Sequence, residues 1–252
     1  MSFELTYLFL IIPSFLTAIV DIVFGMGFGL TMTPILLLMG YAPREIVPAL
    51  LFSSMIGNIF SPFFHHKFKN VDFGLCSKHF NMSVLIGILG VIGSFVGASV
   101  SIGISNFYLG LYIGLLIVSL GFFLLVNRKL RARFSWLRLS FLGLFGSFNK
   151  GISGSGFGPI TTTGMIIMNV NEKVAVSIQT LSELFVSMAG FLTLMLAGIK
   201  ISWDLLLPLS IGVVFSTPLA AFVVHKFDSR KLRSAIGLVT VVLGVLTLLS
   251  LA

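Results

Sequence analysis

Residues 21–34 read Asp-Ile-Val-Phe-Gly-Met-Gly-Phe-Gly-Leu-Thr-Met-Thr-Pro, "DIVFGMGFGLTMTP", inside a nearly unbroken apolar run from Leu5 to Met39. Three glycines in five residues, an acid before them and a proline after them break a helix where the surrounding residues would otherwise build one. Residues 150–159, "KGISGSGFGP", carry the same device. Gly25, Gly27, Phe28 and Gly29 correspond to Gly154, Gly156, Phe157 and Gly158 at an offset of 129, and Gly114 and Gly121 correspond to Gly237 and Gly244 at an offset of 123.

The setting of the breakers is a membrane. Of 252 residues, 57% are hydrophobic and 10% charged, too few charges for a soluble domain of this size. Several apolar runs reach the ~20 residues that span a bilayer as helix, and they do not alternate as barrel strands do. Ten segments follow, at about 5–24, 30–39, 44–64, 81–103, 107–126, 139–149, 157–168, 174–198, 204–224 and 234–251. The fold class is an all-α polytopic membrane protein of two inverted repeats, each of about five segments. Residues 1–126 form the first half, 127–138 a basic linker and 139–252 the second half. "MSFELT" lacks the basic region of a signal peptide, so the first segment is expected to be retained. The single cysteine, Cys76, excludes an internal disulfide, and no metal site or cofactor is expected. The net charge of +8 fits basic loops against an anionic leaflet; no nucleic acid is expected.

Orientation follows from Lys and Arg in the loops. Placing loops 65–79, 127–138 and 225–233 inside also places Asn171-Glu172-Lys173 inside, which puts 13 of the 16 basic residues in the cytoplasm and both termini outside. The halves then run antiparallel, and the first two segments of each must return to the side they entered from. A segment of about ten residues covers only ~15 Å, half the hydrocarbon, so both breakers are expected near the bilayer middle. All four histidines, His65, His66, His79 and His225, fall in the basic loops and are expected to be solvated or lipid-facing.

Unwound backbone at that depth is tolerated only against protein or a wet cavity. The short segments after the breakers present free N–H groups and the positive ends of helix dipoles, an arrangement suited to an anion. Gly25, Gly27, Gly29, Gly154, Gly156 and Gly158 let a ligand approach the backbone, and Thr31, Thr33, Thr161, Thr162 and Thr163 add hydroxyls. The competing reading is that the glycines only allow close helix packing. Asp21, Lys150 and Glu183 are ionisable at membrane depth, where a charge costs at least ~2.5–3.5 kcal/mol and therefore has a partner or a task. Lys150 attracting an anion while Glu183 or Asp21 exchanges protons is one reading; a fixed Asp21–Lys150 pair, or an Asp21 near enough to one face to be hydrated, is the other. Gln179 stands one turn before Glu183, and Ser53, Ser54 and Asn58 occupy the matching stretch of the first half.

The repeated breaker, "GFGPITTTG" (156–164) and "SEL" (182–184) resemble the TauE/SafE family of membrane permeases from about Leu10 to Leu249. The resemblance implies a prokaryotic inner-membrane secondary transporter of sulfite, a sulfonate or a related anion. It places the six glycines, Thr161, Thr162 and Glu183 beside the substrate path; Lys150 lies outside the family pattern. No nucleotide-binding loop is present, so an ion gradient or the substrate's own gradient would drive transport. A passive anion channel is the alternative, and "GISG" (151–154) also fits the G-x-S-G of rhomboid proteases, with Ser153 as nucleophile. Oligomeric state is not legible.

Overall fold

The computed structural model describes residues 3–25, 28–75, 77–126, 132–226, 241–242 and 244–249. Gly27, Cys76 and Gly237 lie outside the described residues, as do parts of the basic linker and of the tenth segment. Every regular element is helical among the described residues: α1 (Phe3–Phe24), α2 (Phe28–Leu38), α3 (Pro43–Lys67), α4 (Lys78–Gly103), α5 (Asn106–Val126), α6 (Trp136–Ser153), α7 (Phe157–Ile167), α8 (Glu172–Leu196) and α9 (Trp203–Lys226). Six of them, α1, α3, α4, α5, α8 and α9, are long and apolar enough to cross a membrane. The two helices that follow the breakers, α2 and α7, have 11 residues each, ~16 Å of rise, half a bilayer.

Local chemistry sets the helix ends. Pro43 opens α3 and the Glu45 carboxylate accepts from the Ala42 N–H at 3.0 Å. Ser77 caps α4 through Phe80 N–H, and Asn171 caps α8 through Lys173 N–H. Gly154, at φ +71°, closes α6 with its N–H on the Lys150 carbonyl. The second residue of α3, Arg44, donates to the Ile102 and Ile104 carbonyls at the end of α4. The second residue of α8, Lys173, donates to the His225 carbonyl in the last turn of α9.

α3 and α8 form the centre, packed on each other and more deeply buried than the other four long helices. α4 lies against α6 and α8; α9 lies against α1 and α3. Small residues let these backbones approach. A Cβ on Gly151 of α6 would lie 2.8 Å from the Ala98 nitrogen of α4, and one on Gly212 of α9 2.7 Å from the Ile11 carbonyl of α1. The outward faces carry Phe9, Phe63, Leu137, Phe141 and Phe215, a surface that needs an apolar solvent.

α3 runs three residues further than the sequence suggests, to Lys67, and carries His65 inside the protein. His65 is fully buried, which corrects its assignment to a solvated loop. A helix end keeps one face on its neighbours, so the first histidine of His65-His66-Lys67 points inward while His66 and Lys67 are exposed.

Candidate functional site

The two breakers touch. Gly25 ends α1 at φ +67°, and its carbonyl accepts from the Thr162 hydroxyl of α7 at 3.2 Å. A Cβ on Gly29 would lie 2.6 Å from the Ser155 Cβ and 2.8 Å from the Gly154 carbonyl. Gly156 precedes α7 at φ +91° with the Asn149 Cβ beside it, and Gly158 is buried in the first turn of α7. These glycines serve both turn geometry and close approach between breakers, and side chains at Gly25, Gly29 or Gly154 would collide or strain.

The side chains at this junction form one polar cluster. Lys150, three residues from the end of α6, reaches the Glu183 carboxylate at 2.8 Å and donates to the Ser54 hydroxyl at 3.0 Å. The other Glu183 oxygen accepts from Gln179 at 2.6 Å and Asn58 at 3.1 Å. Lys150 and Glu183 are 2% and 3% exposed. Ser54 is the twelfth residue of α3 and Glu183 the twelfth of α8, so the cluster lies ~17 Å from the start of each 25-residue helix.

A buried ion pair survives only when further hydrogen bonds satisfy both groups. Here Ser54, Asn58 and Gln179 supply them, and Lys150 also sits at the negative end of the α6 dipole. Asp21 is near enough to feel the charges of Glu183 and Lys150. Its own carboxylate accepts from the Phe28 N–H at 3.3 Å, the opening residue of α2.

Two of the three ionisable residues expected at depth pair with each other, but not in the expected combination. Lys150 pairs with Glu183, not with Asp21, because α8 crosses beside the tip of α6 and brings an acid within reach. The α2 N-terminus does not offer free N–H groups throughout, since Asp21 already occupies it. Of the threonines, Thr162 bridges the breakers and Thr161 donates back to the Phe157 carbonyl of its own helix, the local bond common to Thr in helices. Thr33 and Thr163 are buried, each with an unpartnered hydroxyl, and Thr31 is half-buried. Gln179 holds Glu183 by its amide nitrogen while its oxygen is unpartnered.

Ser153 has the partners of a turn residue: it donates to the Asn149 carbonyl at 2.7 Å and accepts from Ser155 N–H at 3.1 Å. Asn149, unremarked in the sequence, accepts from Tyr112 of α5 at 2.6 Å. Its position, one residue before Lys150 in an apolar segment, was the available signal.

Comparison with known proteins finds membrane transporters. The family described as sulfite exporter TauE/SafE matches residues 10–247. The chain is 25% identical over 248 residues to "Probable membrane transporter protein YtnM" of Bacillus subtilis (strain 168), covering 93% of this chain and 80% of that protein. No solved structure matches. Reading Ser153 as a nucleophile gives way to a transporter, not an enzyme.

Proposed function

The chain belongs to the sulfite exporter TauE/SafE family, and on that premise we propose that it carries a small sulfur oxyanion across the membrane by alternating access between two inverted halves. The observation that carries the reading is the Lys150–Glu183 pair, buried at mid-length of α3 and α8 where the two breakers meet.

Several regularities support two inverted halves. α2 and α7, and α3 and α8, have equal lengths and begin 129 residues apart. The packing partners exchange consistently: α1 on α9 answers α6 on α4, and α3 on α9 answers α8 on α4. Arg44 and Lys173, also 129 apart, each tie the start of their helix to the end of the next long one. The basic loops favour both termini outside.

Lys150 is the cation for the substrate, and Glu183 is the anion that holds its place. A sulfite or sulfonate head offers three oxygens to an ammonium and to backbone N–H groups. Both acids compete for one ammonium, so a proton on Glu183 releases Lys150 as the substrate arrives, and net charge at the centre stays balanced. The α7 N-terminus completes the site. Asp21 supplies a negative group to the start of α2; Lys150 occupies the equivalent position before α7 and cannot. The substrate anion supplies it instead. Breaker glycines bring the backbones of the rocking halves close together, with the Thr162 hydroxyl on the Gly25 carbonyl as the side-chain link between them.

Uptake of radiolabelled sulfite into proteoliposomes tests this, with thiosulfate, short and aromatic sulfonates, carboxylates and phosphate as competitors. Saturable uptake, inhibited by sulfur oxyanions and driven uphill by a pH gradient, is expected. Non-saturable flux that no second gradient can drive uphill would instead make the protein a passive channel.

A further inference from the structure

The ion pair does not end the polar interior. Along α3, Ser54, Asn58, Ser61 and His65 follow at intervals of four, three and four, which places them on one helix face over ~16 Å. All four are buried, in a helix packed against α8 and α9. Asn58 is bonded to Glu183. Beyond it, the Ser61 hydroxyl and His65 Nε2 have no protein partner, and neither does Asn70 Oδ1 at the end of the file.

These atoms are oriented, not adrift. Asn70 Nδ2 donates to the Ala221 carbonyl of α9 at 3.0 Å, which fixes the amide, and the same nitrogen faces His65 Nδ1 at 3.2 Å. His65 Nδ1 is then the acceptor and Nε2 carries the hydrogen, a donor left without a protein acceptor. An unpaired buried polar group costs about 1–3 kcal/mol, and three along one line is more than packing needs, unless water serves them.

The second half lacks this feature. The positions 129 residues later are Ser187, Gly190 and Leu194 in place of Asn58, Ser61 and His65. Ser187 and the nearby Ser94 of α4 also hold unpartnered hydroxyls, but Leu194 closes the line with a buried apolar side chain.

We propose that Asn58, Ser61 and His65 line a water-filled half-path that joins Glu183 to the face carrying loop 68–77, with Asn70 as its outer closure. The inference rests on the reading of Glu183 as the group that exchanges a proton, and it names the side from which that proton comes. Water reaches Glu183 along α3 from one face, whereas the line on α8 stops short of the other.

The test reads water directly and needs no transport. Replacing Cys76 by Ser removes the single native thiol; Asn58→Cys, Ser61→Cys, Ser187→Cys and Phe63→Cys are then introduced one at a time. Phe63, 64% exposed on the outer surface of α3 at similar depth, controls for reagent arriving through lipid. A charged methanethiosulfonate is applied to vesicles of each orientation. Ser61→Cys and Asn58→Cys are expected to react many-fold faster than Phe63→Cys, and only from the side of loop 68–77. Reaction of both at the Phe63→Cys rate, or from the opposite side, overturns the half-path. Sulfite uptake by the cysteine-free parent is measured in parallel, so a dry file with intact uptake sinks this inference alone.

Discussion

Asp21 and Lys150 hold equivalent places in two breakers and have opposite charges. Each stands three residues before the end of one helix and seven before the start of the next. Asp21 turns to its own breaker and caps α2; Lys150 turns away from its breaker to α8 and α3. An acid satisfies a helix N-terminus locally, whereas a cation there has nothing to donate to and must find an acceptor elsewhere. One half is thus closed on itself, and the other is tied to Glu183 of α8 and Ser54 of α3, the pair on which the proposed substrate exchange rests.

The strongest way to break this comparison is Lys150→Met. It leaves Glu183 buried without its cation, and loss of one member of such a pair destabilises by about 3–5 kcal/mol. Thermal unfolding in detergent should register the loss, and sulfite uptake should vanish. Lys150→Met combined with Glu183→Gln should recover most of the stability but none of the uptake.

Gly29→Ala attacks the contact between the breakers instead. The new methyl would meet backbone and Cβ atoms of residues 154 and 155 that cannot turn aside, an overpacking cost of about 1–3 kcal/mol. A lower midpoint and slower uptake are expected; an unchanged midpoint would mean that the tips separate freely.

Asp21→Asn tests the closed half. The amide keeps an acceptor for Phe28 N–H and loses the charge, so a cap-sized effect of about 0.5–2 kcal/mol is expected, with uptake retained. Abolished uptake at full stability would move Asp21 into the transport step. Gly103→Ala, with open space around the new methyl, should change stability by no more than ~0.5 kcal/mol and sets the baseline for the series.

The breakers were legible in the sequence because Gly and Pro have few reasons to occur in the middle of an apolar run. Asp21, Lys150 and Glu183 stood out for a related reason, since charge in hydrocarbon is costly enough to be meaningful. Which acid held Lys150 was not legible, because the answer depends on α8 crossing the tip of α6, a contact between elements with no local signature. His65 was misread because a His-His-Lys run looks like a loop boundary. The spacing of Ser54, Asn58, Ser61 and His65 was the signal that could have kept it in the helix.

The central claim is that Lys150 serves the substrate when Glu183 releases it. Binding of sulfite to the purified Lys150→Met/Glu183→Gln protein, followed by calorimetry beside the wild type, tests it most directly because the double variant keeps the charge balance of the centre. Saturable binding to the wild type and none to a folded double variant is the predicted result. Equal binding by both would contradict the account and place the anion elsewhere.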